Sequence, residues 1–142
     1  MYKRQDIKGR FDSLVGEKRN IHYLGSRPYE SLGAYLSSMD VCIIPLKMNE
    51  LMRYADPNKV YEYAAVGKPI VTLEHTKKRS ELKKLIYTAR NHDEFIAMVK
   101  EAVEGEHDPE GLKEYAKSCS WQARADAMKE LIIDALRHSS DR

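Results

Sequence analysis

The residues with the clearest chemical potential lie in the segment ADPNKVYEYAAVGKPIV, residues 55–71. Within it, a helix would place Asn58, Lys59 and Glu62 on one face, because they are three or four residues apart. A helix N-terminus offers unpaired N–H groups and partial positive charge, which suit a phosphate, and Lys59 would add a formal charge. A carboxylate one turn further along accepts hydrogen bonds from ribose hydroxyls. The pattern therefore fits a diphosphate near Asn58 and Lys59 and a ribose at Glu62.

Local signals predict the helix that carries these residues. Asp56 is expected as its N-cap, Pro57 as its first residue and Gly67 as its left-handed stop. An ordinary capped helix with an exposed Lys59–Glu62 pair has the same sequence features, and such pairs are common on protein surfaces. On spacing alone, this ordinary helix is the simpler interpretation.

Composition excludes several classes of protein. The 142 residues are 42% hydrophobic and 32% charged, and the net charge of +2 gives no electrostatic case for binding nucleic acid or an anionic membrane. The two cysteines, Cys42 and Cys119, lack the spacing of a zinc or redox site, and Cys42 is expected as a buried thiol. The five histidines are scattered, so no metal is assigned. No apolar stretch approaches the roughly 18 residues of a membrane span.

Apolar runs and turn signals predict an α/β fold: a partial Rossmann-like parallel sheet of about four strands, with flanking helices and an all-helical C-terminal end. The predicted strands are 21–24, 41–46, 70–73 and 85–89. The predicted helices are 28–39, 57–66, 80–85, 91–104, and two more that open at Asp108-Pro109 and Ser120-Trp121. The chain then has three parts: a helical or disordered lead-in (1–20), an α/β core (21–90) and C-terminal helices (91–142).

Two aromatic residues carry specific packing predictions. Tyr61 is expected in the core. Trp121 begins an apolar stripe on the last helix, and it is interpreted as a packing anchor in preference to a platform for stacking a sugar. Part of this stripe is expected to be exposed.

Four segments resemble the donor-binding C-terminal domain of the nucleotide-sugar-dependent glycosyltransferases of GT-B fold, retaining family 4 (group 1). The first is NIHYLGSRPYESLGAYLSSMDVCIIPL (20–46), a strand, Gly turn, helix and strand. The second, DPNKVYEYAAVGKPIVTLE (56–74), resembles the signature helix of that family. HDEFIAMVKEAV (92–103) and SCSWQARADAMKEL (118–131) resemble the helices that follow. Together they cover roughly residues 11–136 and favour the ligand-binding interpretation of the signature helix.

The resemblance assigns donor-binding roles residue by residue. Glu62 is similar to the glutamate that holds the donor ribose, and the backbone around Asn58 and Lys59 to the turn that binds the diphosphate. The loop 47–56 resembles the one that approaches the donor sugar. No residue receives a catalytic role.

The turn Gly25-Ser26-Arg27 resembles the loop against which the donor base packs, although Arg27 fits equally well as a solvated charge at a helix start. One position departs from the best-known family pattern: Tyr54 stands where a second glutamate is common, eight residues before Glu62. This departure leaves open how the donor sugar is held.

The acceptor-binding N-terminal domain of the family, and the first two strands of its donor domain, have no counterpart in this sequence. The resemblance therefore implies a single incomplete nucleotide-sugar-binding domain (1–142), truncated on its N-terminal side and inactive alone.

The parent implied by this resemblance is a hexosyltransferase or other glycosyltransferase of polysaccharide biosynthesis. It would move a sugar from a nucleotide-sugar donor to a glycan or lipid-linked acceptor bound by the missing domain. No cofactor, metal, nucleic acid or transmembrane segment is implied. The expected location is cytoplasmic, with a peripheral position at the inner membrane face open for the parent.

Two other functions are weighed against this one. The first is a non-enzymatic α/β signalling domain of the receiver type, which needs an aspartate at the end of a central strand. Asp40 precedes its strand instead, which counts against it. The second is a relic that binds nucleotide without turnover, and the sequence does not separate it from an enzyme.

Overall fold

The computed structural model describes residues 4–46, 49–50, 56–74 and 82–140. The chain divides into two compact units, Met1–Leu32 and Gly33–Arg142. The first contains helix α1 (Arg4–Glu17), and the second contains a parallel sheet with helices packed on it.

The first unit has no strand among its described residues, so the strand predicted at 21–24 is wrong. The chain turns after α1, where the Ile21 N–H donates to the Lys18 carbonyl at 3.2 Å. Tyr23 packs edge-on against Phe11, with ring centroids 5.2 Å apart, and remains 64% exposed. A short alternating run becomes a strand only where a neighbouring strand pairs with it, and the sequence pattern does not report that neighbour.

The sheet of the second unit contains β1 (Cys42–Ile44), β2 (Ile70–Leu73) and β3 (Tyr87–Ala89). The strands lie in the order β1-β2-β3, and both pairings are parallel. The predicted α/β fold with a parallel sheet is confirmed, with three strands in the described residues where about four were expected. Of the three strands, β2 matches its predicted range and the other two are shorter than predicted.

Helices make up most of the remaining structure. They are α2 (Leu32–Ser37), α3 (Asn58–Ala65), α4 (His92–Glu104), α5 (Pro109–Ser118) and α6 (Trp121–Ser140), with 3-10 helices at Tyr29–Ser31 and Leu82–Lys84. The helix predicted at 28–39 therefore opens with a 3-10 turn, which is common at helix starts. Of the helix predicted at 80–85, the first two residues lie outside the described part of the chain.

Three helix starts were predicted from capping residues and are confirmed. Asn91, Asp108 and Ser120 each accept, through a side-chain oxygen, a hydrogen bond from the backbone N–H three residues later, at 2.9, 2.8 and 3.2 Å. A cap satisfies one of the N–H groups that a helix start leaves unpaired, and contributes about 1 kcal/mol.

The core lies between the sheet, α3 and α5. Its buried cluster comprises Ile44, Val60, Ala64, Ile70, Leu82 and Leu112. On the sheet, α4 packs against β2 and β3, and α3 contacts β1 and β2. Cys42 is buried at the start of β1, as predicted. Burial raises the pKa of its thiol, and the nearby Lys68 charge opposes that shift.

Candidate functional site

Helix α3 joins two parallel strands, so it begins on the side of the sheet where β1 ends, which is where open α/β sheets bind ligands. Its inner side is anchored by Val60 and Ala64, both fully buried. Asn58 and Lys59 are exposed in its first turn, and Glu62 is half-buried one turn later. The packing of α3 therefore turns these three predicted site residues away from the core.

The side chains of Lys59 and Glu62 do not pair with each other. Among the described residues, neither makes an ion pair or a side-chain hydrogen bond. The ordinary interpretation, an exposed Lys59–Glu62 pair, is therefore not realised in the structure. Both groups remain able to contact a ligand, and the Glu62 carboxylate contributes, after burial and Cys42, to the raised pKa of Tyr63.

The start of α3 differs from the prediction. Pro57, not Asp56, occupies the N-cap position, with φ −68° and ψ 123°, and the helix begins at Asn58. Asp56 instead accepts a hydrogen bond from the Tyr61 hydroxyl at 2.7 Å. Asp56 was predicted as the cap and Pro57 as the first helical residue, and both assignments are wrong by one position. The N–H groups of Asn58 and Lys59 consequently have no side-chain cap among the described residues.

Tyr61 belongs to an aromatic cluster on the surface between three helices. Its ring stacks on Tyr115 of α5, with centroids 6.2 Å apart and planes 8° apart. The Arg124 guanidinium lies 5.3 Å from the Tyr61 centroid and 5.6 Å from that of Trp121. Tyr61 is half-buried, and its predicted place in the core is wrong.

Trp121 is 83% exposed, so its interpretation as a packing anchor is wrong for the described chain. One signal for the cluster is readable in the sequence: Arg124 follows Trp121 by three residues, a spacing at which helical side chains meet. No such signal exists for the contact between Asp56 and Tyr61, because it depends on the turn that precedes α3.

Gly67 ends α3 in the left-handed conformation predicted for it, with φ +67°. Its N–H donates to the Ala64 carbonyl at 2.9 Å. A Cβ at this position would lie 2.9 Å from Lys113 Cε and 3.1 Å from Pro109 Cβ, so both the backbone angle and the close approach of α5 require glycine.

The turn Gly25-Ser26-Arg27 lies in the first compact unit, whereas α3 lies in the second. Gly25 has φ +73°, the left-handed conformation that favours glycine. Ser26 and Arg27 are exposed, and Arg27 has an interaction partner. Tyr54 lies outside the described residues, as does most of the loop 47–56 expected near the donor sugar.

A metal cluster and a membrane span are both absent from the described part of the chain. No three His, Cys, Asp or Glu side chains in these residues come together as metal ligands would. The longest described helix, α6, has twenty residues but is interrupted by charged side chains, and no described helix qualifies as a membrane span.

Comparison with known proteins agrees with the expected family. The family model described as "Glycosyl transferases group 1" matches residues 3–105, more than half of the chain. Searches of the curated proteins and of the solved structures found no match. The matched residues include the turn at Gly25 and all of α3, and they end before the segment 118–131. The receiver-like alternative is not favoured, and the chain belongs to the group 1 glycosyltransferases.

Proposed function

We propose that this chain is the donor-binding part of a retaining GT-B glycosyltransferase of family 4, which moves a sugar from a nucleoside diphosphate to a glycan or lipid-linked acceptor. One observation carries the proposal: among the described residues, the half-buried Glu62 makes no ion pair or side-chain hydrogen bond, and it lies one turn from a helix start that has no side-chain cap. The family match over this helix supports it. The acceptor is bound by a part of the enzyme other than the described residues, and these residues alone do not transfer sugar.

The proposed donor pose follows the chemistry of α3. The diphosphate lies against the N–H groups of Asn58 and Lys59, with the Lys59 ammonium as a second positive group. The Glu62 carboxylate accepts hydrogen bonds from the ribose. When the glycosidic bond breaks, negative charge grows on the departing diphosphate, and the helix terminus and Lys59 stabilise it.

The proposed location is the cytoplasm, with the enzyme peripheral at the inner membrane face when its acceptor is lipid-linked. Cys42 and Cys119 are both free thiols, which agrees with a reducing compartment.

The proposal is tested by titrating the chain with the diphosphates of uridine, guanosine, adenosine and thymidine. Glu62→Gln keeps the shape of the side chain and removes its charge. We expect it to weaken the best-bound diphosphate by about tenfold to a hundredfold, the effect of losing a charged hydrogen bond. Glu104→Gln is the matched control, because Glu104 is an exposed acid at the end of α4. This variant should bind the diphosphate as the unmodified chain does.

A second titration asks whether Glu62 contacts the ribose itself. A 2′- or 3′-deoxy analogue of the best-bound diphosphate should bind the unmodified chain less well than the parent nucleotide, and the difference should shrink in Glu62→Gln. Equal affinities of the unmodified chain and Glu62→Gln for every diphosphate would remove Glu62 from the site. Failure of the unmodified chain to bind any of the four would refute donor binding by this chain.

A further inference from the structure

Helix α6 carries an apolar face that is open to solvent. Four of its large apolar side chains are more than half exposed: Trp121, Met128, Leu131 and Ile132. With 3.6 residues per turn, these four and the exposed Ala125 and Ala135 lie within about one third of the helix circumference. These six residues are called the α6 face below.

The side of α6 that is turned inward is a different one. Between residues 121 and 138, the half-buried positions are Ala123 and Ile133. Each is five residues from Met128, a spacing that puts both on the opposite side of the helix. An amphipathic helix normally buries its wider apolar stripe. Here α6 turns that stripe toward solvent and a smaller apolar side inward.

The area of the α6 face is that of a small protein interface. Because a large aromatic side chain covers about 150–250 Å² and aliphatic ones less, the exposed parts of the six residues come to roughly 600 Å² per chain. Exposed apolar patches beyond a few hundred Å² are rare on monomers and mark interaction sites. Two such faces together would bury about 1,200 Å², the lower limit for a specific interface.

The order of large and small residues on the α6 face fits a second copy of the same helix running in the opposite direction. With the two Met128 side chains at the centre, Trp121 of one copy lies opposite Ala135 of the other, because both are seven residues from Met128. Ile132 similarly lies close to Ala125 of the other copy. We propose that a second copy of this chain covers the α6 face, in an antiparallel homodimer centred on Met128.

The charged side chains of α6 are compatible with this pairing. Asp126, Glu130 and Arg137 lie on the side opposite the α6 face and stay in water. Lys129 borders the face, and its long stem can keep the ammonium in water. Arg124 lies within the face, where its guanidinium is 5.6 Å from the centroid of the Trp121 ring. Tryptophan, methionine and arginine are all enriched at protein interfaces.

Sedimentation equilibrium of the unmodified chain tests the proposal. The mean mass should rise from that of one chain toward that of two between about 1 and 300 µM, because so small an interface is expected to have a dissociation constant of about 10–100 µM. Unfolding measured at or below about 1 µM then reports on the single chain.

Two matched variants ask whether the α6 face forms the dimer. Ile132→Asp puts an unpaired carboxylate into the proposed interface and should raise the dissociation constant at least about tenfold. Val103→Asp makes the same change of charge at an exposed apolar side chain of α4, and should associate as the unmodified chain does. Circular dichroism checks that both variants keep their helices.

Cross-linking tests the direction and centre of the pair. Cys119→Ser leaves Cys42, which is buried, as the remaining thiol. Met128→Cys in this background should give a covalent dimer on mild oxidation, because two copies of this position face each other. Glu130→Cys, on the opposite side of α6, should not.

Several results would overturn the homodimer. They are a chain that stays monomeric up to about 300 µM, a dimer that Ile132→Asp does not weaken, equal cross-linking of the two cysteine variants, or aggregates of no defined size. Trp121 is the only tryptophan of the chain. A blue shift of its fluorescence when a monomeric chain meets phosphatidylglycerol vesicles would assign the face to lipid instead. None of these results bears on donor binding, which Glu62→Gln tests separately.

Discussion

Helices α3 and α6 are stabilised in opposite ways. The eight residues of α3 bury Val60 and Ala64 completely against the sheet and α5. The twenty residues of α6 leave large apolar side chains exposed: Trp121 83%, Met128 64%, Leu131 72%, Ile132 54% and Leu136 63%. An isolated helix as short as α3 is unstable in water, so tertiary packing must fix it. The helix with the proposed ligand contacts thus depends on its neighbours.

By contrast, α6 makes several hydrogen bonds within itself and at its start. Ser120 caps its start, and Gln122 donates to the Asp126 carboxylate one turn later at 3.0 Å. Near its end, His138 bonds to the Asp134 carbonyl at 2.8 Å. Contacts at i and i+4 each contribute only a few tenths of a kcal/mol, but a long helix collects several of them. The difference shows that the length of a helix does not predict how deeply its side chains are buried in this chain.

The sharpest test of this contrast compares two leucines. Leu112→Ala removes a fully buried side chain of α5 from the core that packs against α3. It should lower the free energy of unfolding by about 2–5 kcal/mol. Leu131→Ala removes an exposed side chain from α6 and should change the free energy of unfolding by less than about 0.5 kcal/mol. Urea unfolding followed by circular dichroism measures both. Similar losses in the two variants would show that α6 is packed in solution.

Alanine substitutions at three glycines should give the next largest losses of stability, in a graded order. Gly67→Ala combines a left-handed φ with close contacts to Pro109 and Lys113, and should cost about 2–4 kcal/mol. Gly25→Ala has the same strain with nothing within 4 Å, and should cost about 1 kcal/mol. Gly33→Ala, in α2 with open space around it, should be neutral or stabilising. Thermal unfolding of the three variants measures the order of their stabilities. An equal loss of stability in Gly67→Ala and Gly25→Ala would show that the close contacts around Gly67 do not contribute.

The smallest expected effect is a change in stability at alkaline pH. The pKa of the Tyr63 phenol is raised by burial, then by the charges of Cys42 and Glu62. The unfolded chain therefore loses this proton at a lower pH than the folded chain does. The free energy of unfolding should therefore keep its full value at neutral pH. It should decline above about pH 9, because the thiols and phenols of the unfolded chain ionise there.

Tyr63→Phe separates the phenol from the Cys42 thiol, whose pKa is also raised by burial. The variant should show a shallower decline in unfolding free energy between about pH 9 and 11 than the unmodified chain. Tyr29→Phe, at an exposed ring, is the control and should keep the full slope. Identical slopes in the unmodified chain and Tyr63→Phe would contradict the assigned cause.

Sequence reasoning succeeded where one short segment determines the outcome. The strand at 70–73, the caps at Asn91, Asp108 and Ser120, and the stop at Gly67 all follow from local residue types. The donor-binding role of Glu62 stays a prediction, and its position on the outer side of α3 is compatible with that role.

The errors share a physical cause: each depends on the presence or absence of a contact that residue type and spacing do not report. The run at 21–24 has no strand beside it among the described residues of the first unit. Asp56 is a favourable N-cap by residue type, but its carboxylate accepts a hydrogen bond from the Tyr61 hydroxyl instead. Trp121 was interpreted as a packing anchor, but with the Arg124 guanidinium near its ring it remains 83% exposed. Tyr54 and the ligand contacts of Gly25, Ser26 and Arg27 remain predictions.

The enclosure of Gly67 by Pro109 and Lys113 also determines where this protein can be divided. The family match ends at residue 105, before α5 begins. A chain cut at that point would keep α3 and the sheet but lose α5, which contributes the buried Leu112 side chain to the core. The family match therefore ends before a helix that contributes to the core around α3. Because α3 precedes α5 in the chain, we expect the burial of Val60 and Ala64 to be completed only after Leu112 has been synthesised.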